Sequence, residues 1–249
     1  MTIGFQPISI NDLWHSGSPS ETVFHYDQIV DLPEPVQRYL KHAISAATPL
    51  ANVVQLRMHG EIKLKQWQSF QAEQVIYPQR GMIWQATPRV KGLPVRGWDR
   101  LVDGKGAMQW KFLGLIPVMT AVGEDVTRSA IGRMHGECMW LPSVLSKAEW
   151  TVCNRYNIQA TLRSLEEATV LNLTIDSLGR PNQISFKRWG NPDSSSYQLV
   201  NFGAYVDQES TFAGYTIPSK LRAGWYFGSD KFKTEGEFFR VTLDDVIYK

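Results

Sequence analysis

The sequence predicts a mainly β (α+β) fold: a large curved antiparallel sheet or half-barrel with an N-terminal helix and a helical insert near residues 123–146. Three observations predict it. Apolar and polar residues alternate along many short stretches, the period of strands with one buried and one wet face. Turn-forming residues separate those stretches, Asp103-Gly104 being the clearest hairpin signal. Only two segments show strong helical character, too few to cover a sheet of about a dozen strands from both sides, so the sheet must curl.

The elements follow in order. Residues 1–31 are mixed in composition, and Ser16-Gly17-Ser18-Pro19-Ser20 is turn-prone. They read as an N-terminal arm or linker with little regular structure, anchored by Trp14, Phe24 and Tyr26, ahead of a half-barrel domain over 32–249. A helix opens at Pro33, with Asp31 as its expected cap. Val36, Tyr39, Leu40 and Ala43 then fall at i, i+3, i+4 and i+7 and give one apolar stripe. Pro49 closes off anything that continues.

The period now changes to two. Val54, Leu56, Met58, Gly60, Ile62 and Leu64 alternate with Gln55, Arg57, His59, Glu61, Lys63 and Lys65. Further strands are expected at 69–77, 81–88, 95–102 and 106–113. Alternation of this kind belongs to antiparallel sheets, since buried parallel strands read as continuous apolar runs. Gly114-Leu115-Ile116-Pro117-Val118-Met119 reads as an apolar loop. Glu124 and Asp125 favour a helix start, and Val126, Ala130, Met134 and Cys138 share one face of that helix despite Gly132 and Gly136. Pro142 ends it. The remainder reads as strands at 149–154, 156–163, 168–175, 182–189, 196–206, 216–227 and 236–248. In the last of these the alternation slips at Asp244-Asp245, which predicts a β-bulge.

Composition narrows the function. The chain has 249 residues, 43% of them hydrophobic, enough for a core without disulfide or metal staples. A net charge of +2, from 26 Lys+Arg and 24 Asp+Glu, argues against nucleic acid as partner. No stretch approaches the ~18 apolar residues of a membrane span. Met1 to Ile10 carry neither the basic nor the apolar region of a secretory signal. The only cysteines, Cys138 and Cys153, fit no disulfide framework or zinc spacing and read as two buried free thiols. A cytoplasmic location is the expectation.

A curled sheet of this size encloses space for a small ligand. The candidate ligand-binding residues are Arg133, His135, Glu137 and Trp140 on the helical insert, with Trp84, Trp98 and Trp110 as aromatic lining. Arg133 and Glu137 stand at i, i+4 and pair along one helix face, either at the mouth of the cavity or as a surface ion pair beside a packed tryptophan. His135 has the ordinary imidazole range for acid–base work. Arg89, Lys91, Arg96, Arg100, Lys105 and Lys111 form a basic stretch, read as a solvated strand face or as a surface for an anionic head group. His59 and Glu61 share a strand face but lack a third ligand. No metal site, cofactor or named catalytic residue follows, because no HExxH, P-loop, GxSxG or GxGxxG pattern is present.

Several motifs in combination carry a resemblance. Leu32-Pro33-Glu34-Pro35-Val36-Gln37-Arg38-Tyr39-Leu40 is followed by Leu56-Arg57-Met58-His59-Gly60-Glu61 and Trp67-Gln68-Ser69-Phe70-Gln71-Ala72-Glu73-Gln74. Then come Gly92-Leu93-Pro94-Val95 with Asp99, Val102-Asp103-Gly104, Gly114-Leu115-Ile116-Pro117-Val118 and Gly136-Glu137-Cys138-Met139-Trp140-Leu141-Pro142. Over 32–248 these resemble an uncharacterised bacterial family known only as a domain of unknown function, which implies a fold and no activity. Gly214-Tyr215-Thr216-Ile217-Pro218-Ser219-Lys220 with the last hairpin is similar to lipoprotein carriers of the LolA/LolB type. That resemblance implies a curved half-barrel that holds acyl chains against a helical lid.

The leading expectation is a protein that binds an apolar or lipid-like small molecule inside the curved sheet. Its variant adds a peripheral membrane contact through the apolar segment at 114–122 beside the basic stretch. The alternative is an enzyme using Glu137, His135 and Arg133 at the cavity mouth. A third reading, a protein–protein interaction module with a filled core, predicts no cavity.

Overall fold

The computed structural model describes residues 8–249. Among them thirteen strands form one antiparallel sheet. The first six are β1 (Val54–Lys63), β2 (Trp67–Tyr77), β3 (Gly81–Val90), β4 (Leu93–Val102), β5 (Lys105–Phe112) and β6 (Ile116–Val122). The other seven are β7 (Glu149–Asn154), β8 (Asn157–Ser164), β9 (Glu167–Ile175), β10 (Pro181–Gly190), β11 (Gln198–Phe212), β12 (Tyr215–Trp225) and β13 (Glu237–Tyr248). The spatial order is β6-β5-β4-β3-β2-β1-β13-β12-β11-β10-β9-β8-β7. Neighbours in sequence are thus neighbours in space, except that β1 pairs with β13 and that β6 and β7 lie at opposite edges.

That exception sets the architecture. The chain must travel from one edge of the sheet to the other between Val122 and Glu149, and it does so across the apolar face. Helix α1 (Ile10–Ser16) and helix α2 (Glu34–Ala43) precede the sheet; the crossing is made by α3 (Glu124–Glu137), a tight turn at Cys138–Trp140 and α4 (Pro142–Leu145). Helix α3 packs against β3, β4, β5 and β6 on one side and against β9 and β10 on the other. Both wings of the sheet therefore curl around it, and the core lies between.

The stripe of α2 is buried as its spacing requires: Val36, Tyr39, Leu40 and Ala43 all face the core. Its cap differs from expectation. Pro33, not Asp31, holds the cap position, and its carbonyl accepts the N–H groups of Val36 at 2.9 Å and Gln37 at 3.0 Å. The Asp103-Gly104 turn has positive φ at both residues, 47° and 78°, as a two-residue hairpin joining β4 to β5 demands. The bulge read from the slip near the end of the chain is present: Arg57 pairs with Asp245 and Met58 with Leu243, leaving Asp244 as the extra residue.

Three expectations are corrected. The segment 1–31 contains more regular structure than its composition suggests; residues 1–7 lie outside the described residues, but α1 is a capped helix in which Ser9 and Asp12 bond reciprocally. Its Ile10 and Leu13 pack with Val75, Ile83 and Val102 on the outer face of β2 and β3, so the sheet is covered there on both sides. Phe24 is buried while Tyr26 stays 42% exposed. Second, the apolar loop at 114–119 is mostly the edge strand β6, with Ile116, Val118 and Met119 exposed. Its sequence lacks alternation because neither of its faces is buried. Third, Cys138 is buried but Cys153 is exposed. No helix among the described residues is long and apolar enough to cross a membrane.

Candidate functional site

A cavity of about 150 Å³ lies between α3 and the hollow of the sheet. Its walls come from β1, β3, β4, β10, β11, β12 and β13, and its cover from α3 and the turn that follows. The lining is mostly apolar and aromatic: Ile62, Phe186, Phe202, Leu221, Phe238 and Phe239 stand beside Trp84 and Trp140. Ile62, Phe202, Phe238 and Phe239 keep partial exposure, as do the charged Asp99, Arg133, Glu137 and Arg188.

Local sequence explains this shape. Gly224 pairs with Glu237 but Ala223 pairs with Phe239, so Phe238 is the extra residue of a bulge. The bulge delivers two consecutive phenylalanines to one side, which a regular strand cannot do. Phe239 then stacks on Phe70 at 5.2 Å and meets the edge of Trp84 at 6.1 Å. On α3 the glycines permit a close approach. A Cβ at Gly136 would fall 2.5 Å from the ring of Phe186, and one at Gly132 would touch the Arg188 stem. Each glycine weakens the helix by about 1 kcal/mol relative to alanine, and the packing they allow offsets it.

One rim of the cavity carries charge. Arg133 donates from Nε to Glu137 Oε1 at 2.7 Å and from Nη1 to Asp99 Oδ2 at 2.9 Å. Glu137 Oε2 accepts from Gln74 Nε2 at 2.5 Å, and Asp99 Oδ1 accepts from Trp110 Nε1 at 3.1 Å. All four carboxylate oxygens thus hold a donor. The Arg133 guanidinium lies over the Trp84 ring at 4.9 Å. Burial alone would weaken its charge, but Glu137 and Asp99 outweigh that and hold it protonated above its ordinary range.

Arg188, on β10, is the other cation at the cavity. It donates from Nε to the Ser129 carbonyl at 3.3 Å and from Nη2 to Ser129 Oγ at 3.4 Å. Its guanidinium lies 4.9 Å from the ring centre of Phe202 and 5.1 Å from that of Trp225. Burial, reinforced by the like charge of Arg133 and only partly offset by Glu137 and Asp99, lowers it to about 10.

Four of the residues expected at a ligand site converge on this cavity: Arg133, Glu137, Trp140 and Trp84. Trp110 stands behind Trp84, tilted against it at 5.7 Å, and reaches the site through Asp99. Two do not converge. Trp98 lies on the opposite face of the sheet, in an open depression with Gln71, Gln85, Gln109, Arg96 and Lys111. Arg100, from the basic stretch, is buried against the Trp98 ring at 4.7 Å, whereas Arg89, Lys91, Arg96 and Lys105 are exposed. His135 points away from the cavity: Nδ1 meets Thr169 Oγ1 and Nε2 meets Ser164 Oγ, both at 2.8 Å. Burial lowers it to about 4, so the ring is neutral.

Asp99, Arg188, Phe202 and Phe239 belong to the site although sequence reading did not select them. A signal for Asp99 existed. The two-residue turn at Asp103-Gly104 fixes the pairing of Gly97 with Trp110 and of Asp99 with Met108. Gly97, Asp99 and Trp110 therefore share a face that Trp98 cannot. Gly97 also lacks the Cβ that would strike the Trp110 indole at 2.3 Å. Among the described residues no group of three or more His, Cys, Asp or Glu is placed to hold a metal ion.

The chain matches, over residues 30–248, the family described as a family of unknown function, DUF6920. No protein of curated function matches it. Solved structures similar to it include a domain described as an outer membrane lipoprotein-sorting protein from Vibrio parahaemolyticus, at 7% identity and a TM-score of 0.40, covering 80% of this chain and 86% of that one. Another is a LolA superfamily protein from Nitrosomonas europaea, at 10% identity and a TM-score of 0.42, covering 86% of this chain and 92% of that one. At these values neither likeness speaks to what this chain binds.

Proposed function

The chain belongs to the DUF6920 family of unknown function, and we propose that it binds a small apolar molecule between α3 and the hollow of the sheet. One observation carries this reading: the aromatic-lined cavity of about 150 Å³ at the centre of the fold. A cavity of about 150 Å³ accommodates a benzene-sized molecule. A longer ligand extends through the side where Phe202, Phe238 and Ile62 remain partly exposed. The charged rim supports binding over catalysis. Both carboxylates have every oxygen engaged, which suits a clamp that holds α3 against β2 and β4 better than a free base. His135, the natural proton carrier, is sequestered elsewhere.

Toluene tests the reading by linkage: a ligand at about 100 times its Kd stabilises the native state by roughly 2.7 kcal/mol. The melting temperature of the wild type should rise with toluene. Ala223 lines the cavity, so Ala223→Leu should fill it and abolish the rise. No rise in the wild type, or an equal rise in the filled variant, overturns the reading.

A further inference from the structure

We propose that Arg188 is the seat for the carboxylate of an acidic apolar ligand, so that the cavity takes an aryl or alkyl carboxylic acid rather than a hydrocarbon. This inference rests on the cavity-binding reading and narrows its ligand class.

The charged partners at the cavity are unevenly shared. Two guanidinium groups and two carboxylates meet at the cavity, yet both carboxylates serve Arg133. Their remaining oxygens are taken by Gln74 and Trp110, so neither is left to accept from Arg188. No carboxylate among the described residues lies within ion-pair distance of Arg188. A guanidinium carries five N–H donors in a planar fork. Arg188 commits only two of them, both to Ser129 and both at the long end of hydrogen-bond range.

Its other contacts are faces of aromatic rings. These offset part of the loss of hydration and give the planar group an orientation, but they satisfy no N–H. Glu137 and Asp99 act on Arg188 only from beyond contact and do not offset its burial and the like charge of Arg133, and a charged, hydrogen-bonding partner in contact relieves the remaining cost. Arg188 lines the cavity and keeps partial exposure, so a partner entering with the ligand can reach it. The planar fork matches a carboxylate, which accepts two parallel N–H bonds. The apolar body of such a ligand then lies against Phe202, Phe239 and Trp84.

Calorimetric titration with 4-ethylbenzoate and its neutral isostere 4-ethylbenzamide tests the assignment. Wild type should bind the acid at least tenfold more tightly than the amide at pH 7. Arg188→Met should bring the two affinities together, and Arg188→Lys should retain part of the preference. Equal affinities in the wild type, or an acid preference that survives in Arg188→Met, overturn the assignment and leave the cavity reading standing. Binding of neither compound overturns it too; if toluene also fails to raise the melting temperature, the cavity reading falls with it. The wild-type ratio decides the matter even where a variant does not fold.

Discussion

His135 offers a prediction in which sign and size both follow from its surroundings. The ring is 2% exposed and lies between Thr169 of β9 and Ser164 of β8. Either hydroxyl can donate or accept, so protonation would break no hydrogen bond; its cost is desolvation of the charge. That cost lowers the folded-state value to about 4 from the ordinary 6.5. The sign follows directly. Between those two pH values the unfolded chain binds a proton that the native ring refuses, so stability falls as pH falls through this window. Above it the contribution is fully present, and below it no further loss occurs. At about 1.4 kcal/mol per tenfold difference in proton affinity, the loss comes to roughly 3 kcal/mol. Urea unfolding of wild type and His135→Gln between pH 7.5 and 4 isolates it, because other titrating groups cancel in the difference. The variant should be the less stable at pH 7.5, having lost two buried hydrogen bonds, and the gap should shrink by roughly 3 kcal/mol on reaching pH 4. A gap independent of pH would refute the assignment of His135 as a neutral, buried strut. The same variant should keep its response to toluene, since the ring does not line the cavity.

Two further predictions concern the cover of the cavity. Gly136→Ala gains helix propensity but drives a methyl into the Phe186 ring at 2.5 Å; overpacking should prevail, with destabilisation of about 1–3 kcal/mol in chemical denaturation. Glu137→Ala removes one of the two carboxylates on Arg133 and the acceptor of Gln74. With Asp99 still in place the loss should fall near the low end for a broken buried pair, about 3 kcal/mol, and a loss below about 1 kcal/mol would show that the clamp does not hold α3.

Most of the strand pattern was legible because most strands have one buried face, and burial writes alternation into the sequence. The same logic explains β6. It sits at an edge with Ile116, Val118 and Met119 exposed, and without a buried face it left no period to read. The stripe of α2 was legible to the residue because one helix face meets the core. Helix α3 was harder to read. It is flanked by both wings of the sheet, so it buries Ile131, Gly132, Met134, His135 and Gly136 rather than a single stripe. What sequence could not supply was long-range register. Arg133, Asp99 and Arg188 belong to elements far apart in the chain, and only the crossing from β6 to β7 brings them together.

That crossing also explains why the cavity exists where it does. A sheet whose first and last strands pair, β1 with β13, leaves its two free edges at β6 and β7. The segment joining those edges must cross the apolar face, and a single helix there cannot fill the hollow that thirteen strands curl to make. The remaining space is taken up by large aromatic rings from β3, β10, β11 and β13, which leave gaps where planar faces meet at angles. Gly132 and Gly136 bring the helix down on β10, so the gap is confined to the side of β12 and β13 where Ala223 and Phe238 stand. Arg188 sits at that boundary with its stem against Gly132 and its head among rings. The same glycine that seats the helix thus leaves room for the one cation at the cavity that no carboxylate among the described residues contacts.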